Sequence, residues 1–172
     1  MIDFFRKITP RGIFTIVFLA SSGALTAAYY AQFVNNADPC PLCIAQRVIY
    51  AAIALVSLIA AIHGAKKTGT FIYNLVLAGI TIFGIKTAYH HVWLQSLPPS
   101  EWPASCGMPL NILYKQVPLT GFLHTILSGS AECAMASWKI FGISGAMISL
   151  WGFSLITLLL GYSIIKLLLK QG

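Results

Sequence analysis

Apolar positions in this chain neither alternate nor fall into stripes; they run on unbroken. Gly12–Val34 is 23 residues with no charge, and Val48–Ala65 is 18 residues without Asp, Glu, Lys or Arg. Phe71–Trp93 is 23 residues with Lys86 its only charge, and Ile143–Ile165 is 23 uncharged residues. A bilayer span needs about 20 such residues, fewer or more with thinning or tilt. Lipid offers no hydrogen bonds to an open strand edge, so all four segments are predicted as helices. A membrane barrel would need alternating segments of about ten residues instead. The pattern therefore predicts an all-α integral membrane protein. It is a four-transmembrane-helix bundle in a single domain over residues 1–172, with loops at about 35–47 and 94–142.

Composition strengthens this reading. Hydrophobic residues make up 58% of the 172 and charged residues 9%, against about 25% charged in a soluble domain. Neither a soluble globular domain nor a disordered chain fits. The net charge of +7 does not point to nucleic acid, because the basic residues are scattered and no aromatic-interleaved basic stripe exists.

The basic residues instead orient the bundle. Arg6, Lys7 and Arg11, then Lys66 and Lys67, then Lys166 and Lys170 put seven on one side. Arg47, Lys115 and Lys139 put three on the other, over many more residues. Positive charge marks the cytoplasmic face, so both termini are expected there. The two loops are expected in the periplasm of a bacterial inner membrane. Arg6 to Ala24 has the outline of a secretory signal, but the apolar run continues to Val34, and a retained anchor is expected.

All four cysteines fall in the two outward loops: Cys40 and Cys43 in the first, Cys106 and Cys133 in the second. An oxidising compartment favours disulfides, and this agrees with the charge count. In Asp38-Pro39-Cys40-Pro41-Leu42-Cys43, Pro41 suits the first helical position. Cys40 is then the N-cap and Cys43 lies in the first turn, where the helix dipole favours thiolate. Arg47 follows Cys43 at i+4 on the same face. As a staple, a disulfide across two residues closes too small a loop to remove much chain entropy; a redox couple is the better reading. A four-cysteine zinc or iron–sulfur site is disfavoured because Cys106 and Cys133 are 27 positions apart, not a second close pair. That second pair suits either a structural bridge or a relay exchanging disulfides with the first.

Cys40-Pro-Leu-Cys43-Ile-Ala-Gln-Arg47 resembles the C-x-x-C-x-x-x-R signature of the disulfide bond formation protein B (DsbB) family. His91-Val-Trp-Leu94-Gln95 with Pro98 and Cys106, and Gly129-Ser-Ala-Glu-Cys133-Ala134 with Trp138, Phe141-Gly142 and Trp151, extend the similarity from about Gly12 to Ile165. The family is known for the DsbA–DsbB–quinone system that keeps the periplasm oxidising. The resemblance implies that a reduced DsbA-like periplasmic thiol oxidase attacks a Cys106–Cys133 disulfide, with Cys106 forming the mixed disulfide. Electrons then pass to Cys40–Cys43 and on to ubiquinone or menaquinone, with Arg47, His91 and Gln95 implied at the quinone. A paralogue serving a dedicated partner, and a non-enzymatic bundle with two structural disulfides, are the competing readings. Energetics favour a quinone: reoxidising DsbA, at about −120 mV, with a pool near −200 mV is uphill by roughly 3.7 kcal/mol.

Other polar positions are read more simply. His91 fits either a hydrogen bond to a quinone carbonyl or an interfacial histidine without a ligand, and His90 is expected to face elsewhere. His63 lies at the opposite end of the spans from His90 and His91, which disfavours bis-histidine haem. Lys86 is expected to snorkel and Glu132 to be solvated. Trp93, Trp102, Trp138 and Trp151 are expected as interfacial anchors. Leu110–Leu127, largely apolar with Lys115 its only formal charge, fits two placements: flat on the membrane surface or packed on the helix ends.

Overall fold

A computed structural model of the chain describes residues 9–36, 38–102, 119–135, 139–140 and 142–169. Four long helices dominate it: α1 (Pro10–Val34), α2 (Pro41–His63), α3 (Lys67–Ser96) and, last in the chain, α6 (Gly145–Leu169). Each is long and apolar enough to cross a membrane. Between α3 and α6 lie a 3₁₀ turn (Pro99–Glu101), α4 (Leu119–Ser128), the single turn α5 (Ala131–Ala134), and the strands β1 (Lys139–Ile140) and β2 (Ile143–Ser144). The strands pair antiparallel, Lys139 opposite Ser144 and Ile140 opposite Ile143.

Each long helix covers all or nearly all of one apolar run, and α3 extends past its run at both ends. The largest extension is at α2, which starts at Pro41, seven residues before the charge-free window. Gln46 and Arg47 are therefore helical, as Pro41 at the first helical position predicts, although the loop bound of about 35–47 includes them. Proline explains the early start, since its φ suits the first turn and its missing N–H costs nothing there. Cys40 is the N-cap, extended at φ −68° and ψ 164°.

In the bundle α3 lies along α6, α1 along α2, and α2 along α3. The outward faces carry large apolar side chains such as Leu19, Ile62, Leu75 and Leu158. A helix facing water would be polar there; these faces suit lipid. Between helices, lipid provides no hydrophobic drive, so close packing and hydrogen bonds hold the spans together. Gly84 permits one such approach. A Cβ at this position would lie 2.9 Å from the ring of Phe153, which is itself fully buried. Tyr50 stacks on the same ring, centroids 4.2 Å apart, and its hydroxyl donates to the Ser149 carbonyl at 3.3 Å. Near the other end, Asn74 Nδ2 donates to Ser163 Oγ at 3.1 Å, joining α3 to α6. Such bonds contribute about 0.6 kcal/mol on average in membrane proteins.

The bundle therefore has two chemically different ends. One holds the start of α1, the α2–α3 turn and the end of α6. The other holds the start of α2, the end of α3 and the α4–α5 segment. A small second core closes this latter end, formed by Cys40, Leu42, Leu94 and Cys133.

Candidate functional site

The start of α2 puts two sulfurs together. Cys40 Sγ, at the N-cap, accepts from the Cys43 amide at 3.4 Å and lies 3.2 Å from Cys43 Sγ. Three residues of helix set that separation, so the pair is poised to close a disulfide with little backbone movement.

The third sulfur arrives from far along the chain. After α4, Gly129 turns with φ +78°. A Cβ here would meet Leu94 Cδ1 at 2.7 Å and Leu42 Cδ1 at 2.9 Å. Only glycine combines that conformation with that closeness. The turn seats α5 against α2 and α3, and Cys133 becomes fully buried beside Cys40. His90 fastens the same corner, its Nε2–H donating to the Ser128 carbonyl at 3.0 Å while its ring stacks on Trp93.

Cys40 is thus the middle of three sulfurs. It is held well above the ordinary thiol range, first by its hydrogen bond to Cys133, then by the one to Cys43 and by burial. Cys133 is lowered to about 6, first by the hydrogen bond from Cys40, then with help from the Leu42 and Ser130 amides, against the opposing effect of burial. The proton resides on Cys40 and the negative charge on its neighbour. In the reduced protein, the ultraviolet thiolate signal lost in Cys133→Ser is expected to titrate with a midpoint near pH 6, well below an ordinary thiol at 9.0. A midpoint near the ordinary value would show that this sulfur is not stabilised as an anion.

His91, only 2% exposed, lies against both sulfur-bearing segments. Its Nε2 is 3.2 Å from the Cys133 carbonyl and 3.7 Å from Cys40 Sγ. A carbonyl only accepts, so Nε2 is assigned the proton. Nδ1 then accepts from Gln46 Nε2 at 3.2 Å. The Gln95 amide approaches Nε2 to 3.4 Å.

On the other side of Cys43 a small, partly open cavity of about 100 Å³ lies between α1, α2 and α6. Ala24, Leu25, Ala28 and Ile148 supply apolar wall, and Cys43, Gln46, Arg47 and Tyr50 supply polar groups on one helix. Arg47 is braced from α1: Nη1 donates to Gln32 Oε1, Nη2 donates to the Ala28 carbonyl at 3.0 Å, and the guanidinium sits 5.0 Å from the Tyr29 ring centroid. Among the described residues, its remaining N–H groups have no hydrogen-bond acceptor.

Of the seven residues singled out in the sequence, Cys40, Cys43, Cys133, Arg47, His91 and Gln95 come together at one end of the bundle. Cys106 lies outside the described residues. The six divide in a way the sequence did not suggest. Arg47 and Cys43 line the cavity; His91 and Gln95 do not, because α3 presents them to Cys40 and Cys133. Lys86 and Glu132 are exposed. Within Leu110–Leu127, the described part belongs to α4, which packs on α2, with Ile126 buried and Leu127 exposed. Gln46, only 4% exposed, was missed. It both lines the cavity and holds His91, and a polar residue one turn after Cys43 on the helix that carries it was the available signal.

The family model described as disulfide bond formation protein DsbB matches residues 10–163. The chain is similar to the disulfide bond formation protein B of Stutzerimonas stutzeri (strain A1501), 39% identical over 148 residues, covering 86% of this chain and 90% of that protein. With the protein of the same name from Nitrosococcus oceani it shares 41% over 138 residues, 80% of this chain and 81% of the relative. With that of Acinetobacter baumannii (strain ATCC 17978) it shares 37% over 155 residues, 90% and 88% of the two.

Proposed function

The chain belongs to the DsbB family of disulfide bond formation proteins, a multi-pass membrane protein, and on that premise we propose that it reoxidises a DsbA-like periplasmic thiol oxidase at the expense of a membrane quinone. The observation that carries the reading is the row of three sulfurs, Cys133, Cys40 and Cys43, ending at the wall of an apolar cavity. A structural bundle has no need for a sulfur row that ends there.

The exchange is proposed to run as follows. A thiolate of the reduced partner attacks Cys106 of a Cys106–Cys133 disulfide, forming a mixed disulfide and releasing Cys133 as thiolate. Cys133 attacks Cys40 of the Cys40–Cys43 disulfide; the Cys133–Cys40 bond forms, the Cys40–Cys43 bond breaks, and Cys43 leaves as thiolate at the cavity wall. The partner's second thiol then attacks its own sulfur in the mixed disulfide, and Cys106 leaves. Cys106 in turn reforms its bond with Cys133, returning the electron pair to Cys40 and Cys43 as two thiols. Cys43, Gln46 and Arg47 at the cavity wall would hold ubiquinone or menaquinone, which when bound would accept the two electrons and two protons given up as Cys40–Cys43 recloses. Arg47, with N–H groups to spare, and Gln46 are the residues that fit a quinone carbonyl. His91 is proposed to act from the opposite side, its Nε2–H held by the Cys133 carbonyl so that the two sulfur-bearing segments stay in register. Gln95 supports His91. The sulfur end then faces the periplasm and the basic end the cytoplasm.

Reconstitution tests the proposal. Purified protein, a reduced DsbA-like partner and ubiquinone or menaquinone are expected to give partner oxidation matched one for one by quinone reduction. Partner oxidation without quinone consumption, or none at all, would sink it.

A further inference from the structure

Three metal-binding side chains from three separate elements converge outside the cavity. The Sγ atoms of Cys40 and Cys133 and a ring nitrogen of His91 all lie within 4.8 Å of one another, and all three residues are buried. We propose that the doubly reduced protein binds one thiophilic divalent cation of the Zn²⁺ class through Cys40, Cys133 and His91, a redox-gated metal site that disulfide formation at either cysteine abolishes.

Geometry and chemistry both favour it. Zinc bonds of about 2.3 Å to sulfur and 2.0–2.1 Å to nitrogen, at tetrahedral angles, separate ligand atoms by about 3.5–3.8 Å. Cys40 Sγ and His91 Nε2 are already 3.7 Å apart. Thiolate and imidazole select zinc or copper(I) over magnesium and calcium. Two thiolates neutralise the dication, so the complex carries no net charge at a buried site near the bilayer edge. Each thiol that enters coordination as thiolate releases one proton; nothing is oxidised or reduced. His91 ligates through Nε2 once its proton shifts to Nδ1. Gln46, already 3.2 Å from Nδ1, then turns its amide oxygen to accept that proton. A ligating histidine commonly has such an outer partner, which fixes its tautomer. Cys43 lies on the cavity side of Cys40 and Cys106 is not needed, so the ligand set differs from either redox pair.

The consequence is a block that acts only on the reduced form. A bound cation holds Cys40 and Cys133 as thiolates and removes both from disulfide exchange. The site goes beyond the electron path and is tested without partner or quinone. Co²⁺ is titrated into fully reduced protein in detergent, and the thiolate-to-cobalt charge-transfer band is followed. One Co²⁺ per chain is expected in the parent, in Cys106→Ser and in Cys43→Ser, with displacement by Zn²⁺. The band is expected to disappear in Cys133→Ser, in His91→Phe and in the oxidised parent. A band that survives in Cys133→Ser but is lost in Cys43→Ser would assign the metal to the C-x-x-C pair and overturn the proposal. So would no band in the parent. X-ray absorption at the zinc edge of the unmodified reduced protein gives a check that does not depend on variants folding. Two sulfurs and at least one imidazole nitrogen are expected in the first shell, and a shell of four sulfurs, or of oxygen alone, refutes the assignment.

Discussion

Cys43→Ser is expected to oxidise one equivalent of reduced partner per chain and then stop. In the variant the proposed Cys106–Cys133 disulfide is retained, so the first exchange is expected to proceed. Cys133 then meets Cys40 as a lone thiol, with no Cys40–Cys43 bond to attack, and the electron pair cannot move on. Steady turnover should fall to the uncatalysed background while the initial burst remains near one equivalent. Rapid mixing of the variant with reduced partner, followed by acid trapping and counting of thiols, separates burst from turnover. Sustained turnover in this variant would mean that Cys43, although it alone of the described sulfurs lines the cavity, is not where electrons leave the protein. Serine is the appropriate replacement: it keeps the size and hydrogen-bonding capacity at a helix start while removing the redox chemistry.

Arg47→Gln is expected to weaken quinone use far more than partner use. A hydrogen bond from a charged donor contributes about 1.5–3 kcal/mol. On the scale of about 1.4 kcal/mol per tenfold, its loss corresponds to a rise of roughly 10- to 150-fold in apparent KM for the quinone. The partner's KM should stay within a small factor, because Arg47 lies on the cavity side of α2, away from Cys133. The variant also loses the bonds to Gln32 and Ala28, so a Gln32→Ala control is needed. That control keeps the guanidinium and should show only a modest KM change. If Arg47→Gln and parent titrate alike with quinone, the guanidinium does not contact the acceptor, and its role is limited to joining α1 to α2.

The parts of the fold that depend on chain-local chemistry could be read directly from the sequence. Unbroken apolar runs gave the four spans, and Pro41 after Cys40 gave the start of α2 with Cys40 as its N-cap. Charge-free windows misjudge where a helix begins, however. The second window opens at Val48, seven residues after the helix start that Pro41 marks, because a helix end emerging from lipid carries polar residues without strain. The sulfur row was only half legible. The spacing of Cys40 and Cys43 is local, but Cys133 reaches Cys40 through a positive-φ turn at Gly129 and close packing on Leu42 and Leu94, which no spacing encodes. The same applies to His91. Its place on α3 allowed it to face either the cavity or the α5 segment, and the position of α5 decided between them.

Burial of the middle sulfur has a consequence for selectivity. Cys40 is 3% exposed and Cys133 0%, enclosed with Leu42 and Leu94. A small thiol diffusing past this end of the bundle finds no path to either atom without displacing that apolar seal. On the proposed electron path that seal would insulate the junction as a wire is insulated, keeping ambient reductant from short-circuiting it at Cys40 or Cys133. In the proposed role, as an oxidant in a compartment containing free thiols, the protein would depend on that insulation as much as on the sulfurs themselves.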